Sequence, residues 1–431
     1  HKVCGKELVK WVIDASREAG ADTVVAVIGH KAEAVRPVIG ESAETVIQAE
    51  QLGTGHAVMQ AAEYIKSAPG SVVVLNGDTP LIKAETIKKA IEYHEAQGNS
   101  ATVITAEFED ATGYGRIVRG EDGSVLRIVE QKDASEEEKK IREINSGMYV
   151  FNGTELAWAL DKLTPNNAQG EYYHTDTLAI LRGDGKKIGG YTIEDNDEIR
   201  GINNRVQLSE AETIMQSRIN EGHMLNGVTI VNPSSVFIGA EVEIGRDTVI
   251  ASNVTLTGST KIGSGCSVEM GCRIEDSVIE DNVSVLNSVI LKSHIGEGTN
   301  VGPFAYVRPG CRVGKHVKVG DFVEIKNVTI DDGTKISHLT YLGDTDIGKN
   351  VNFGCGTVTC NYDGKDKFRS EIGDNVFVGC NTNLVSPVKV GDGAYIAAGS
   401  TITDDIPEKN LAIARARQVN KDNWKGNKYT K

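Results

Sequence analysis

The sequence has no excess of basic residues, no pair of cysteines at CxxC spacing and no apolar run long enough to cross a membrane. The formal net charge of −14 argues against a nucleic-acid-binding protein, because such a protein presents a basic face to the phosphate backbone. Anionic substrates would need local clusters of basic side chains. The seven cysteines are odd in number, which favours reduced thiols of a cytoplasmic protein over a disulfide framework. We expect neither nucleic acid nor membrane among the partners.

Branched aliphatic residues recur at every sixth position of the second half, in the runs Ile238–Ile274, Ile295–Ile325 and Ile372–Ile402. A period of six matches neither a helix nor a two-sided strand. It is typical of a hexapeptide parallel β-helix, whose stacked coils turn these residues into one core. We predict a β-helix over residues 227–403. The segment 361–369 breaks the repeat and predicts a loop that leaves the β-helix, which is often functional, although a tolerated surface insertion is the alternative.

The first half alternates helix and strand patterns. Thr23–Ile28 and Ser71–Leu75 are apolar runs typical of buried strands, and Glu7–Ala19 has helical periodicity. This alternation predicts a mostly parallel sheet with helices on both faces, which binds ligands at the carboxyl ends of its strands. Asp78 falls at such an end.

A helical pattern over residues 206–223 separates the two halves. We therefore predict an α/β domain at 1–205, a linker helix at 206–226 and a β-helix domain with a C-terminal tail at 227–431. The tail from residue 404 should pack over a short segment and then become disordered.

Long motifs in both halves make the interpretation more specific. Those of the first half are QAEQLGTGHAV (48–58), LNGDTPLI (75–82), TGYGRIVR (112–119), IVEQKDAS (128–135), EINSGMY (143–149), NNAQGEYY (166–173) and GINNR (201–205). Those of the second half are VGPFAYVRPG (301–310), VGDFVEIKN (319–327), SHLTYLGD (337–344), NFGCGTVTCNYDGK (352–365) and IARARQ (413–418). Over essentially the whole chain, these motifs resemble the bacterial bifunctional N-acetylglucosamine-1-phosphate uridylyltransferase and glucosamine-1-phosphate acetyltransferase.

The resemblance implies an α/β fold with a Rossmann-like nucleotidyltransferase domain, joined by a helix to a left-handed parallel β-helix. It implies a cytoplasmic homotrimer that supplies UDP-N-acetylglucosamine for cell-wall synthesis. Acetyl-CoA would acetylate glucosamine 1-phosphate, and UTP with Mg²⁺ would then uridylylate the N-acetylglucosamine 1-phosphate.

Two alternatives to this interpretation are a sugar-nucleotide pyrophosphorylase with a regulatory β-helix and a non-catalytic scaffold with the same domain pair. The motifs SHLTYLGD, NYDGK and IARARQ count against the first alternative. The presence of His338 together with Arg308, Lys326 and Tyr341 counts against the second.

For uridylyl transfer, Asp78 offers the hard oxygen ligand that Mg²⁺ prefers, although a lone Asp after a strand is more often a turn residue or a helix cap. By resemblance, Asn203 supplies a second ligand. The other contacts with the UDP-sugar that the resemblance implies are Gln48, Gly53 and Thr54 at the uracil, Asn76 and Gly77 beside Asp78, and Gly115, Glu130 and Asn145 at the N-acetylglucosamine. Taken singly, each of these residues has an ordinary explanation in a turn or loop.

The start of the sequence departs from the family pattern. The family opens with a strand and a glycine-rich loop that carries an arginine and a nearby lysine, whereas this chain begins with His1 and continues into Val-Cys-Gly. Lys2 and Lys6 do not stand at the matching positions. Because that loop wraps the triphosphate, we expect this 431-residue chain to transfer uridylyl groups poorly.

For acetyl transfer, His338 matches the general base of the family, which would remove a proton from the amine of glucosamine 1-phosphate. Arg308 and Lys326 are 18 residues apart, the length of three hexapeptide units, so we expect them to stack on one face of neighbouring coils. Two stacked cations would hold a sugar phosphate, although a solvated charge ladder is the alternative.

By resemblance, Tyr341 and Asn352 complete the sugar site. The residues that the resemblance assigns to acetyl-CoA are Cys355, Asn361, Tyr362, Cys380, Ala398 and Arg415. The family usually carries Ala or Ser where this chain has Cys355 and Cys380, so a small side chain should suffice there, and a covalent cysteine mechanism is the less favoured alternative. We expect Arg417 to be solvated, and nothing around His294 or His316 indicates a site.

Overall fold

The computed structural model of the protein describes residues 1–67, 70–166 and 169–424. Positions 167–168 of the motif NNAQGEYY and positions 425–431 of the predicted tail lie outside the described residues. The chain divides into two compact units, residues 1–215 and the chain from residue 216 onward. Within the described ranges, no helix is both long enough and apolar enough to cross a membrane.

The helices lie mostly in the first unit. They are α1 (Leu8–Glu18), α2 (Ala32–Ile39), α3 (Thr54–Met59), α4 (Ala62–Ser67), α5 (Ala84–Ala96), α6 (Gly153–Leu160), α7 (Asp176–Gly183) and α8 (Arg205–Leu225). Short 3-10 turns cover Glu138–Lys140, Asn196–Ile199 and Pro233–Ser235. A helix therefore covers the segment 206–223 that carried the helical pattern, and the boundary between the two compact units falls inside it.

The strands of the first unit alternate with these helices only in part. They are β1 (Lys2–Val3), β2 (Lys6–Glu7), β3 (Val25–Ile28), β4 (Glu44–Ile47), β5 (Ser71–Val74), β6 (Ala101–Glu107), β7 (Arg116–Arg119), β8 (Val125–Val129), β9 (Glu143–Asn152) and β10 (Ile188–Thr192). The main sheet has the order β10-β6-β9-β7-β8, and β5 pairs with β9 as well. Strands β3 and β4 form a separate parallel pair.

The prediction of a mostly parallel sheet is wrong for this unit. Among the described residues of the main sheet, only β10 and β6 pair in parallel, whereas β5, β6 and β7 all pair antiparallel with β9. The physical reason is the β7–β8 hairpin, whose turn is closed by a 2.9 Å bond from Gly120 N–H to the Ser124 carbonyl. After this hairpin, β9 lies between β6 and β7 and runs antiparallel to both β5 and β6, which run in the same direction as each other.

Strand β9 is the centre of the apolar core of the first unit. Phe151 packs with Leu156 of α6 on one face, and Met148 and Val150 pack with Ile104 of β6 on the other. Each fully buried side chain of this size stabilises the fold by about 1.5–3 kcal/mol. This core fixes the positions of the loops that follow β5 and precede β9.

The second unit is a parallel β-helix with three sheets, as the six-residue period predicted. Face A contains Thr229–Ile230, Val249–Ile250, Ser267–Val268, Ser284–Val285, Asn300–Val301, Lys318–Asp321, Lys335–His338, Asn352–Phe353, Phe377–Val378, Tyr395–Ile396 and Leu411–Ala412. Face B contains Phe237–Ile238, Thr255–Thr257, Arg273–Glu275, Val289–Leu291, Tyr306–Val307, Glu324–Lys326, Tyr341–Gly343, Val358–Cys360, Asn383–Val385 and Thr401–Ile402. Face C contains Glu243–Ile244, Lys261–Ile262, Val278–Ile279, His294–Ile295, Arg312–Val313, Thr329–Ile330, Thr345–Ile347, Ser370–Ile372 and Lys389–Val390.

The aliphatic residues of the repeat form the core of the β-helix. Nearly all of them are buried in one continuous cluster, and only Ile244 is partly exposed at its edge. The position after the aliphatic residue is often glycine because the next coil lies directly against it. A side chain at Gly320, for example, would overlap the carbonyl oxygen of Ser337 in the following coil.

One coil is longer than the others. Paired residues in neighbouring coils are commonly 16 to 18 positions apart, whereas Thr345 pairs with Ser370, 25 positions later. The extra residues form the predicted loop at 361–369, between the strands Val358–Cys360 and Ser370–Ile372. The prediction that this segment leaves the regular coil is confirmed.

Candidate functional site

One corner of the β-helix brings together residues from five coils. The residues that stand two positions after a paired inward residue of face A are Asp321, His338, Cys355, Cys380 and Ala398. We call this set the corner column. It holds the predicted base His338 and three of the residues predicted to contact acetyl-CoA, so the register of the coils places these predicted residues in one line.

His338 lies at the end of a face A strand, with its side chain 55% exposed. Its Nδ1 atom is 2.6 Å from Oδ1 of Asp321, which lies directly opposite in the preceding coil. No further side-chain hydrogen bond to the ring is found within the described part of the chain, so Nε2 is open. A histidine held through Nδ1 in this way can accept a proton at Nε2.

Arg308 and Lys326 occupy matching positions of face B, as their spacing predicted. Arg308 directly follows Val307, which pairs with Ile325 immediately before Lys326. Nη1 of Arg308 is 2.9 Å from Glu324, and Nζ of Lys326 is 3.4 Å from Oδ2 of Asp344. The two cations are therefore stacked in neighbouring coils and held by carboxylates.

Asp344 lies beside Lys326 and holds the neighbouring side chains in place. It is buried and accepts hydrogen bonds from Nδ2 of Asn327 at 2.6 Å and from Nδ2 of Asn361 at 2.5 Å. Burial alone would raise the pKa of this carboxyl, but the bonds from Asn327 and Asn361 and the neighbouring Lys326 keep it below its ordinary value. Asn361, which we predicted at the acetyl-CoA site, is thus anchored beside Lys326.

The loop at 361–369 adds a third cation that sequence reasoning missed. Tyr362 and Lys367 form an isolated antiparallel β-bridge, and the Phe368 N–H donates to the Asn361 carbonyl at 2.9 Å. The pKa of Lys367 is lowered because the ammonium group of Lys326 lies beside it, and Arg308 acts in the same direction. Cations this close together repel one another, and that repulsion favours the binding of an anion beside them.

Arg369 holds the end of this loop on the β-helix. Its guanidinium forms a two-pronged ion pair with Asp346, and its Nη1 donates to the carbonyl of Asn327 at 2.9 Å. The loop is therefore tied to face C at its end, which positions Lys367.

Tyr341 lies along face B between the corner column and the cations. A side chain built on Gly343 would meet the Tyr341 hydroxyl at 2.5 Å and Nδ2 of Asn361 at 2.7 Å, so both groups approach the bare backbone of Gly343. The predicted Asn352 starts the face A strand of the coil after His338. The structure thus brings Tyr341 to the cations and leaves Asn352 on the adjoining face.

Two further predicted residues lie towards the end of the β-helix. Tyr362 is exposed in the loop, and its hydroxyl donates to the carbonyl of Gly364 at 2.6 Å. Arg415 lies against Gly399, the residue after Ala398, so it stands at the end of the corner column. Arg417 is exposed, as expected.

In the first unit, the three residues predicted at the uracil are close together. Nε2 of Gln48 donates to the carbonyl of Gly53 at 3.0 Å, and the backbone N–H of His174 donates to Oγ1 of Thr54 at 3.1 Å. Gly53 has a φ of +109°, and a side chain there would meet the Tyr172 carbonyl at 2.5 Å. Glycine is therefore required by both backbone conformation and space.

The three residues predicted at the N-acetylglucosamine also converge. The N–H of Asn145 donates to the Gly115 carbonyl at 2.9 Å, and a side chain built on Gly115 would lie 3.2 Å from Oε1 of Glu130. The hairpin of β7 and β8 and the start of β9 create this grouping. The carboxylate of Glu130 thus lies beside the backbone of Gly115, where no side chain intervenes.

The carboxyl end of β5 holds the candidate metal ligands. Asp78 Oδ2 and the side chain of Asn203 both approach Gly201, to within 3.9 and 3.8 Å of a side chain built there, and the Ile202 N–H donates to the Asp78 carbonyl at 3.0 Å. Gly77 is exposed beside Asp78, and the amide of Asn76 reaches the Ser146 carbonyl at 3.5 Å.

This donor set has the chemistry that Mg²⁺ uses, because Mg²⁺ is commonly bound by one or two protein oxygen atoms together with water and substrate phosphates. No group of three or more His, Cys, Asp or Glu side chains suited to a metal is present in the part of the chain that the structure describes. Asp78 and Asn203 therefore fit a metal that also takes ligands from a bound nucleotide.

Comparison with known proteins gives matches along most of the chain. Residues 2–197 match the nucleotidyl transferase family, residues 232–330 the GMPPB C-terminal domain, and residues 369–404 six repeats of the bacterial transferase hexapeptide. The chain is 57% identical to the bifunctional protein GlmU of Acetivibrio thermocellus, over 98% of this chain and 92% of that protein. It is also 55% identical to the GlmU protein of Caldanaerobacter subterraneus subsp. tengcongensis and 53% identical to that of Clostridioides difficile, over the same shares.

Proposed function

The chain belongs to the GlmU family of bifunctional proteins, and we propose that its two transferase units make UDP-N-acetylglucosamine in two steps. The β-helix acetylates glucosamine 1-phosphate from acetyl-CoA. The nucleotidyltransferase unit then joins the resulting N-acetylglucosamine 1-phosphate to the uridylyl group of UTP and releases pyrophosphate. We assign these activities to residues 227–431 and 1–205 respectively, with residues 206–226 as the connection.

One observation carries the acetyl-transfer proposal: the open Nε2 of His338 stands on the same few coils as the cations Arg308, Lys326 and Lys367. The cations bind the phosphate of the sugar, which the overall charge of −14 would otherwise repel. The sugar amine is thereby held near the corner column, where the thioester is bound.

His338 acts as the general base of this step. Its Nε2 takes a proton from the amine as the nitrogen attacks the thioester carbonyl. A C–N bond forms, the C–S bond breaks, and the proton passes to the departing CoA thiolate. A positioned base of this kind contributes about 10²–10⁴-fold to the rate.

For the uridylyl step, Asp78 and Asn203 are the residues that would hold Mg²⁺. When bound, the metal neutralises phosphate charge. The side chains of Gln48 and Thr54 orient the uracil of UTP, and the group of Gly115, Glu130 and Asn145 orients the acetylated sugar.

We also propose that the protein works as a homotrimer in the cytoplasm and that its product supplies cell-wall synthesis. Three exposed apolar side chains, Phe304, Phe322 and Leu339, follow one another along the corner of faces A and B, and the two phenylalanine rings are stacked with centroids 5.4 Å apart. A second copy of the chain would cover this strip and complete the groove beside the corner column. Sedimentation of Phe322→Asp tests this point, since a trimer that uses the strip should dissociate.

Product analysis tests the two activities together. The protein is incubated with acetyl-CoA, glucosamine 1-phosphate, UTP and Mg²⁺, and the sugar phosphates are separated and identified by mass. N-acetylglucosamine 1-phosphate is expected from the β-helix site, and the amount of UDP-N-acetylglucosamine measures the uridylyl transfer that this chain supports. If no acetylated sugar forms, the proposed function of the β-helix is wrong.

The variant His338→Ala tests the assignment of the base. Its kcat for acetyl transfer should fall by about 10²–10⁴-fold. His316→Asn is a suitable control, because His316 is exposed on the same β-helix with a φ of +54°, a conformation that asparagine tolerates. If His338→Ala keeps most of the wild-type kcat, another residue is the base.

A further inference from the structure

We propose that Asp321 is a positioning residue that makes His338 an effective base in acetyl transfer. The inference rests on the proposed role of His338 and extends it to the neighbouring coil. Asp321 lies within the motif VGDFVEIKN, but the sequence analysis assigned it no role.

Two separate contacts join the two residues. Their side chains form the 2.6 Å hydrogen bond between Oδ1 of Asp321 and Nδ1 of His338. Their backbones are paired across face A, and the Leu339 N–H after His338 donates to the Asp321 carbonyl at 2.9 Å. Thr340 Oγ1 also donates to the His338 carbonyl at 2.7 Å, so the corner has hydrogen bonds that do not involve the Asp321 carboxylate.

The side chain of Asp321 is directed to His338. In the described ranges, His338 is its only side-chain hydrogen-bond partner. This bond keeps the pKa of the Asp321 carboxyl below its ordinary value, against the opposite effect of burial, and Lys318 on the same strand acts with it. Asp321 is therefore an anion at the pH values at which a neutral histidine is available as a base.

An anion at this place has two consequences for His338. It accepts the proton on Nδ1, which keeps that proton away from Nε2 and fixes the plane of the ring. It also stabilises the positive charge that appears on the ring when Nε2 takes the amine proton. Both effects act on the chemical step and neither involves contact with the substrate.

The test uses Asp321→Ala and Asp321→Asn, each alone and combined with His338→Ala. Asp321→Ala should lower kcat by about tenfold or more, within the 10²–10⁴-fold that a base supplies, with little change in the KM for glucosamine 1-phosphate. Asp321→Asn keeps an acceptor for Nδ1–H without the charge, so its kcat should fall between the wild type and Asp321→Ala. In the His338→Ala background, neither change should lower kcat further.

Asp331→Asn is the matched control, because Asp331 is an exposed carboxylate of the same β-helix without a side-chain hydrogen bond in the described part of the chain. Its kcat should equal that of the wild type. The thermal midpoint of each variant shows whether the β-helix is intact. Because the asparagine variant keeps the hydrogen bond, it remains informative if the alanine variant unfolds.

Two results would overturn the inference. Asp321 has no role through His338 if both of its variants keep the wild-type kcat, or if they lower kcat by the same factor in the presence and absence of His338. Neither result can be confused with failure of the proposed function, since that failure would show in His338→Ala alone. Loss of activity in His338→Ala with full activity in the Asp321 variants would refute only the inference made here.

Discussion

His174 allows a quantitative prediction about the stability of the first unit. The residue is 4% exposed, and neither ring nitrogen has a hydrogen-bond partner within the described residues. The ring stands edge-on to Tyr149 and Phe151, with centroids 5.0 and 5.2 Å away. Burial lowers the pKa of His174 from its ordinary 6.5 to about 4, because no group compensates a charge there.

This change in pKa makes the folded unit sensitive to acid. The unfolded chain binds a proton at His174 below a pH of about 6.5, whereas the folded chain does so only near its pKa of about 4. Stability is therefore lost as the pH falls through this range. One pKa unit corresponds to about 1.4 kcal/mol, so the full loss is about 3 kcal/mol, of which about 2 kcal/mol is reached at pH 5.

Replacing His174 by leucine removes this titration and keeps an apolar contact with the aromatic rings. We expect the free energy of unfolding of His174→Leu, minus that of the wild type, to be about 2 kcal/mol larger at pH 5 than at pH 7.5. The difference between the two pH values isolates the titration, because changes in packing contribute equally at both. Other titrating groups are common to both proteins and cancel.

The assay is urea unfolding at pH 5, 6 and 7.5, followed by tryptophan fluorescence. Trp11 and Trp158 lie in the first unit, and Trp158 packs against the apolar cluster that contains Tyr149 and Phe151. His30→Gln is the control, since His30 is exposed in the same unit. If the advantage of His174→Leu is the same at all three pH values, the ring of His174 is not held neutral by burial and the reasoning fails.

Three further changes test other parts of the structure. Lys367→Ala should raise the KM for glucosamine 1-phosphate in acetyl transfer by about tenfold or more, because a charge-assisted bond to a phosphate is worth about 1.5–3 kcal/mol, whereas Lys365→Ala in the same loop should leave it nearly unchanged. Gly320→Ala should lower the thermal midpoint and the kcat for acetyl transfer, because the new side chain would overlap the Ser337 carbonyl and separate the coils that carry Asp321 and His338. Gly222→Ala is the control, since Gly222 lies in a helix with open space around it, and it should lower neither quantity. Asp78→Asn should raise the Mg²⁺ concentration needed for half-maximal uridylyl transfer, and an unchanged requirement would remove Asp78 from the metal site.

The β-helix could be predicted closely from the sequence because its period is a direct consequence of its geometry. Each coil turns one aliphatic side chain per face into the core, so the spacing of Ile238, Leu256 and Ile274 also reports which residues lie on the same face. The same reasoning placed Arg308 beside Lys326. Lys367 could not be predicted in this way, because its position depends on the return of the loop through the contact between Tyr362 and Lys367, which no repeat encodes.

The sheet of the first unit was less predictable for a different reason. Apolar periodicity shows that a strand is buried, but it contains no information on the direction of the strand. Strand β9 is polar over residues 143–147 apart from the buried Ile144, and apolar on both faces over residues 148–151, so it shows neither clear alternation nor a direction. Its antiparallel insertion is decided by the hairpin before it and by the two apolar clusters that it joins.

The spacing of Asp321 and His338 shows how far the repeat can be used to find a site. The two residues are 17 positions apart, one less than three full hexapeptides, so strict six-residue arithmetic would have placed Asp321 opposite Leu339. The coil between them is one residue shorter, so Asp321 pairs with His338 instead. The same line continues through Cys355 and Cys380 to Ala398. Neighbouring coils are about 4.8 Å apart, so these small side chains form a narrow path along the axis that ends near Arg415. We expect an extended acyl carrier with phosphates at one end to lie along this path, with its thioester at His338 and its phosphates near Arg415.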